Sequence, residues 1–258
     1  MLLPQAWLRK RWLARALRDY PLYDPPHKVE ERLLTRERAT ENFDYFMRVR
    51  PQRLAYFRGW LRRNFGVTIT LDEKGVKALG RWGNKYAGLL LNEGPGGNPT
   101  DSYFTYDPPW TGEYAGNNVI FDMGITLGEA MIASCPNLRW DVDPISAILP
   151  RTARQLKREA GMSFQRPTLT GFDDPVSGKD PLHDAYEFAC QMMDNMTTFE
   201  GIHRIYGRPL GIRRLVVDEL LNNFKATLRA YPAGDPYKLR GQMDPEEYLK
   251  FIDSESEE

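Results

Sequence analysis

The chain has 258 residues with 35 basic and 35 acidic side chains, so its formal net charge is zero. At 41% hydrophobic and 27% charged, it can furnish both a core and a solvated surface. No run of about 18 apolar residues is present, which excludes a transmembrane-helix reading, and the N-terminus lacks the continuous apolar stretch of a secretory signal. Two cysteines, Cys135 and Cys190, do not make a disulfide framework, so a reducing, cytoplasmic setting is expected. The charge is unevenly spread. Residues 1–65 hold 15 Lys/Arg and 7 Asp/Glu, a balance of +8, which leaves −8 for the remainder. The expectation is internal complementarity, with basic N-terminal helices lying across an acidic remainder.

The first predicted helix is "PQAWLRKRWLARALRDYP", where Trp7, Leu8, Trp12, Leu13, Ala16, Leu17 and Tyr20 recur mostly at spacings of three and four. Its aromatics read as core-facing. A charged helix follows over about Lys28 to Val49. A third is expected to begin at Pro51, a residue suited to a first helical turn, and to stop at Gly66. "VTIT" (67–70) reads as a short strand. Thr70 and Glu73 have capping-box spacing, which predicts a helix from near Leu71 carrying Val76, Leu79, Trp82, Tyr86 and Leu90. Residues 92–118 are rich in glycine and proline yet carry Tyr103, Phe104, Tyr106, Trp110 and Tyr114. This predicts a long ordered loop rather than a flexible linker.

"FDMGITLGEAMIASCPNLRWDVDP" (121–144) predicts a helix and then a strand. Gly124 and Gly128, four apart, share a helix face and would let another backbone come close. A short basic helix (about 151–160) and a Pro/Gly/Asp-rich connection (161–180) come next. Asp180-Pro181 then forms an N-cap and first turn for a helix reaching about Tyr206. A last long helix covers about Arg213 to Ala230, and a short one from Pro245 precedes an acidic tail, 253–258, expected to be disordered. The fold class expected is helix-dominated α+β: about nine helices with a few short strands. They would form one compact domain over residues 1–258, with a weak seam within 145–180.

Four acids crowd the apolar 121–144 stretch. Asp122 and Glu129 are seven apart on a helix, and Asp141 and Asp143 point to one side of a strand. Converging, they would suit a hard cation such as magnesium and support a metal-dependent hydrolase. The structural reading makes Asp122 a helix cap, pairs Glu129 with an arginine and places Asp143-Pro144 in a turn. The second reading is preferred, because no phosphate-cradling loop or histidine accompanies the acids. Glu200 and His203 make half of a di-iron pattern that no second Glu-x-x-His completes. Cys135 and Cys190 sit on apolar faces suited to packing. No catalytic constellation and no cofactor are therefore assigned.

At "VRPQRLAYFRGWLRRNFGVTITLDEKGVKALGRW" and "FDMGITLGEAMIASCPNLRWDV" the chain resembles a group of uncharacterised bacterial proteins. They pair a small helical segment with a G-x-x-L-G-E helix and a Trp-containing strand. The resemblance covers roughly Pro51 to Asp143. Relatives of this kind are sometimes found near toxin–immunity genes, which implies a binding role and supplies no catalytic residue. The function expected is a cytoplasmic protein-binding protein, immunity-type or regulatory, that docks a protein partner or a second copy of itself. Tyr103, Tyr106, Trp110 and Tyr114 would form the contact, with Tyr106 and Trp110 solvent-accessible. Nucleic-acid binding by the basic N-terminal helices ranks third.

Overall fold

The computed structural model describes residues 5–92, 100–142, 163–172, 178–206 and 219–230. The chain begins with α1 (Gln5–Ala16) and a 3-10 turn at Glu31–Leu33, then enters α2 (Arg36–Phe65), a helix of 30 residues. Thr35 caps the N-terminus of α2 by accepting from the Arg38 N–H. Gly66 closes it in the left-handed region (φ 65°), where glycine carries no Cβ penalty, and donates its N–H to the Arg62 carbonyl. The two helices expected to divide at Pro51 are thus one. Proline removes one backbone hydrogen bond, but Phe46, Arg53, Phe57, Trp60 and Leu61 form a buried face that runs across the interruption.

"VTIT" is not a strand. Among the described residues it has no partner strand, and Ile69 is buried while its carbonyl accepts from Arg58 Nε at 2.9 Å. The next helix, α3 (Glu73–Tyr86), is capped by Asp72 rather than Thr70. Asp72 Oδ1 accepts from the Gly75 N–H at 2.8 Å and from the Thr70 hydroxyl at 2.6 Å. The aromatic stretch contains a helix of its own, α4 (Thr100–Thr105), and a 3-10 turn at Gly112–Tyr114.

Helix α5 (Gly116–Ser134) is the centre of the molecule. Its sequence is largely apolar around the helix, as suits a helix surrounded by protein, and fifteen of its nineteen residues are buried, Asp122 among them. It packs chiefly against α6 (Pro181–Tyr206), and also against α2, α3 and α7 (Glu219–Ala230). Two small residues set the closest approaches. A Cβ on Gly124 would lie 2.6 Å from Leu182 Cα, and one on Gly128 would lie 2.2 Å from the Trp140 ring. Gly124 thus admits the backbone of α6 as expected, whereas Gly128 is filled by a side-chain ring rather than by a backbone.

The polypeptide then forms β1 (Arg139–Val142), antiparallel to β2 (Pro167–Thr170), with Trp140 opposite Leu169 and Asp141 opposite Thr168. β2 was not expected within the 161–180 connection. Asp180 caps α6 as its sequence suggests, accepting from the His183 N–H at 2.9 Å. A contiguous apolar cluster runs from Leu13 through Phe46, Trp60, Trp82, Phe121 and Trp140 to Phe188 and Phe224. The architecture is helix-dominated α+β. Among the described residues there are seven α-helices and one two-stranded sheet, against about nine helices expected. Two of the nine fuse as α2. The helices expected near 151–160 and from Pro245, the turn at Asp143-Pro144, the acidic tail and most of the 145–180 seam lie outside the described residues.

Candidate functional site

The aromatic residues expected to meet a partner are mostly interior. Tyr103, Tyr106 and Trp110 are buried and Tyr114 is half-buried. This corrects the exposure expected for Tyr106 and Trp110. Each buried ring has found an acceptor for its polar end, which removes the cost of burying it. Tyr103 Oη donates to the Leu182 carbonyl at 2.9 Å, Tyr106 Oη donates to Glu31, and Trp110 Nε1 donates to the Ser102 carbonyl at 2.8 Å. The rings also stack on one another. Tyr103 lies 5.4 Å from Trp110 at 8° between planes, and 4.5 Å from Tyr186 at 22°.

The acids of 121–144 are taken up one by one. Asp122 lies well inside α5, so it is no cap. Its Oδ1 accepts from Arg53 Nε at 2.6 Å, and its Oδ2 accepts from Arg53 Nη2 at 3.1 Å and from the Tyr20 hydroxyl at 2.7 Å. Burial pushes the Asp122 carboxyl above its ordinary value, against the pull of Arg53 and Tyr20. Burial works against the charge of Arg53, but Asp122, Tyr20 and Tyr23 together outweigh it and hold the guanidinium above its usual range. Glu129 pairs with Arg50 at 3.2 Å and accepts from Trp140 Nε1 at 2.7 Å. An arginine partner for Glu129 is what the structural reading expected. The same contacts explain physically why a Gly-Glu pair on the helix accompanies a tryptophan on the strand. Asp141 is half-buried on β1, 3.8 Å from Arg139, and Asp143 lies outside the described residues. Among the described residues no three His, Cys, Asp or Glu side chains gather as a metal-binding group.

A second buried polar centre was not foreseen. The Arg166 guanidinium sits 4.6 Å over the Phe104 ring and 5.6 Å over the Tyr103 ring, with Nε 3.8 Å from Asp180 Oδ2. Among the described residues none of its three nitrogens has an acceptor at full hydrogen-bond geometry. Burial pushes the nearby Glu31 carboxyl upward, partly offset by the attraction of Arg166 and the bond from Tyr106. Gln165 Nε2 donates to the Glu31 and Leu34 carbonyls at 2.8 and 2.9 Å. The 3-10 turn is thereby fastened to the segment before β2.

What does face solvent is the side of α1 expected to be core. Leu13 is buried and Leu17 partly so, but Trp7, Leu8 and Trp12 are 44%, 49% and 49% exposed. Arg11 lies over the Trp7 ring at 5.3 Å, and Arg9, Lys10 and Arg15 complete a helix with no acid. Beside it, α1, the end of α2 and the second half of α3 enclose a groove of about 620 Å3. Trp12, Phe65, Trp82 and Tyr86 give it aromatic walls, while Arg81 and Lys85 supply cations. Trp12 Nε1 donates to the Asn64 carbonyl at 3.1 Å, which holds the indole at the rim. Periodicity alone missed this surface. The available signal was a helix with too many large apolar residues for one buried stripe and no acids to balance its cations.

No protein family, curated protein or solved structure matches the chain.

Proposed function

We propose that the chain works by docking a protein partner, as an immunity-type or regulatory factor, without a catalytic step of its own. One observation carries this reading: two tryptophans and a leucine stand in solvent on α1 while the opposite face of the same helix is packed. Tryptophan is over-represented among residues that dominate binding energy, because it brings large area at low rotamer entropy. The interior acids support the same reading, since Asp122 and Glu129 are each occupied by an arginine and a hydrogen-bonding ring. The contact surface thus shifts from the aromatic stretch to α1.

The test is the double variant Trp7→Ser/Leu8→Ser. Both side chains are about half exposed, so stability should change by no more than about 0.5 kcal/mol per site. Partners captured by the wild-type chain in its native cell, identified by mass spectrometry, should be lost from the variant. Sedimentation of the purified chain tells whether the partner is a second copy. An unchanged set of captured proteins together with an unchanged sedimentation profile would overturn the docking role of α1.

A further inference from the structure

The groove beside α1 has a chemistry that specifies its occupant more narrowly than exposure does. Along α3, Lys74, Lys77, Arg81 and Lys85 follow at spacings of three, four and four, and all four are exposed. Such positions are neighbours on a helix surface, and like charges there repel. None of the four forms an ion pair among the described residues. The acids at the start of the helix are already engaged. Asp72 is held by Thr70 and the Gly75 N–H, and Glu73 by Lys225 at 2.8 Å. Among the described residues the positive line therefore remains unneutralised where it meets the groove, at Arg81 and Lys85.

A second observation is independent of charge. Trp82 also lines the groove, only 3% exposed, and adds its ring to the aromatic lining. The walls ask for apolar matter as well, since Trp12, Phe65 and Tyr86 present ring surface. The site combines a row of cations with aromatic walls.

Resting on the docking reading above, we propose that this groove receives an acidic segment of the protein partner. Its carboxylates would lie along Lys77, Arg81 and Lys85, with an aromatic or aliphatic side chain inserted against Trp12, Phe65 and Tyr86. A protein segment fits better than a nucleic acid or a lipid surface. A groove some hundreds of Å3 in volume admits a side chain with its backbone, whereas a duplex or a bilayer would meet the cations and leave the recessed rings unfilled.

The probe is a synthetic peptide of about fifteen residues, glutamate-rich with one central phenylalanine, long enough to form a helix on the surface. Binding to the full chain is followed by fluorescence anisotropy of a label on the peptide. Saturable binding is expected, weakened by salt as surface ion pairs are. It should weaken at least about tenfold in Lys77→Glu/Arg81→Glu/Lys85→Glu, and similarly when the peptide's phenylalanine becomes serine. Absence of binding by the wild-type chain overturns the inference. So does equal affinity for the charge-reversed variant, or tighter binding of a random-sequence DNA duplex or of vesicles containing phosphatidylserine. The two readings fail separately. If Trp7→Ser/Leu8→Ser abolishes capture of the native partner while the charge-reversed variant retains it, docking through α1 stands and the acidic segment falls.

Discussion

Two buried side-chain arrangements at the residue scale invite direct tests. A leucine at position 128 would have to share space with the Trp140 ring, which a Cβ alone would meet at 2.2 Å. Gly128→Leu should therefore cost roughly 1–3 kcal/mol or more through overpacking, read as a lower urea midpoint. An unchanged midpoint would mean that Trp140 swings aside freely. Asp122→Ala should cost roughly 3–5 kcal/mol, because it leaves the Arg53 guanidinium buried without its carboxylate. Adding Arg53→Met should restore part of that loss, and a double variant worse than Asp122→Ala alone would overturn the account. The glycine contacts were legible because a spacing of four fixes a shared helix face wherever the helix begins. The role of Asp122 was not, because capping depends on where the helix starts, and α5 starts at Gly116.

The helices, at the element scale, were easier to find than their limits. Asp180-Pro181 announced α6 through local chemistry, and Gly66 ended α2 for the same reason. Pro51 misled because its usual preference for a first turn is a local statement, while α2 is held by side chains buried on both sides of it. β2 was hidden because a strand of four residues draws its stability from β1, which lies far away in sequence. The junction of the 3-10 turn, α4, β2 and the start of α6 makes a pH prediction. Burial raises the Glu31 carboxyl above the unfolded value of about 4.3. Between that value and the raised one the folded chain binds more protons than the unfolded chain, so stability falls as pH increases through the window. Glu31→Gln cannot ionise and can still accept from Tyr106. Its urea midpoint should gain on the wild type as pH rises above about 4.3 and then level off. A difference that stays constant, or shrinks, would show that Glu31 ionises normally in the core.

The whole molecule uses its charge asymmetry only partly as expected. Arginines of α2 do cross to acids of α5, at Arg53–Asp122 and Arg50–Glu129. The cations of α1 and α3 do not find such partners among the described residues, which is why they mark a surface rather than a seam. No balance of totals could have separated paired from unpaired cations, because the separation depends on which helices touch. The burial of α5 has a further consequence, in the exchange of its backbone amides with solvent deuterium. A helix enclosed on all sides offers no local opening by which water can reach its hydrogen bonds, so its amides wait for global unfolding. The half-exposed turns of α1 can open alone. Asp122→Ala should therefore speed exchange throughout the middle of α5 by one common factor, set by its loss of global stability, and leave α1 nearly unchanged. If the α5 amides accelerate unevenly, or no more than those of α1, the central helix opens in pieces and the core is looser than its packing indicates.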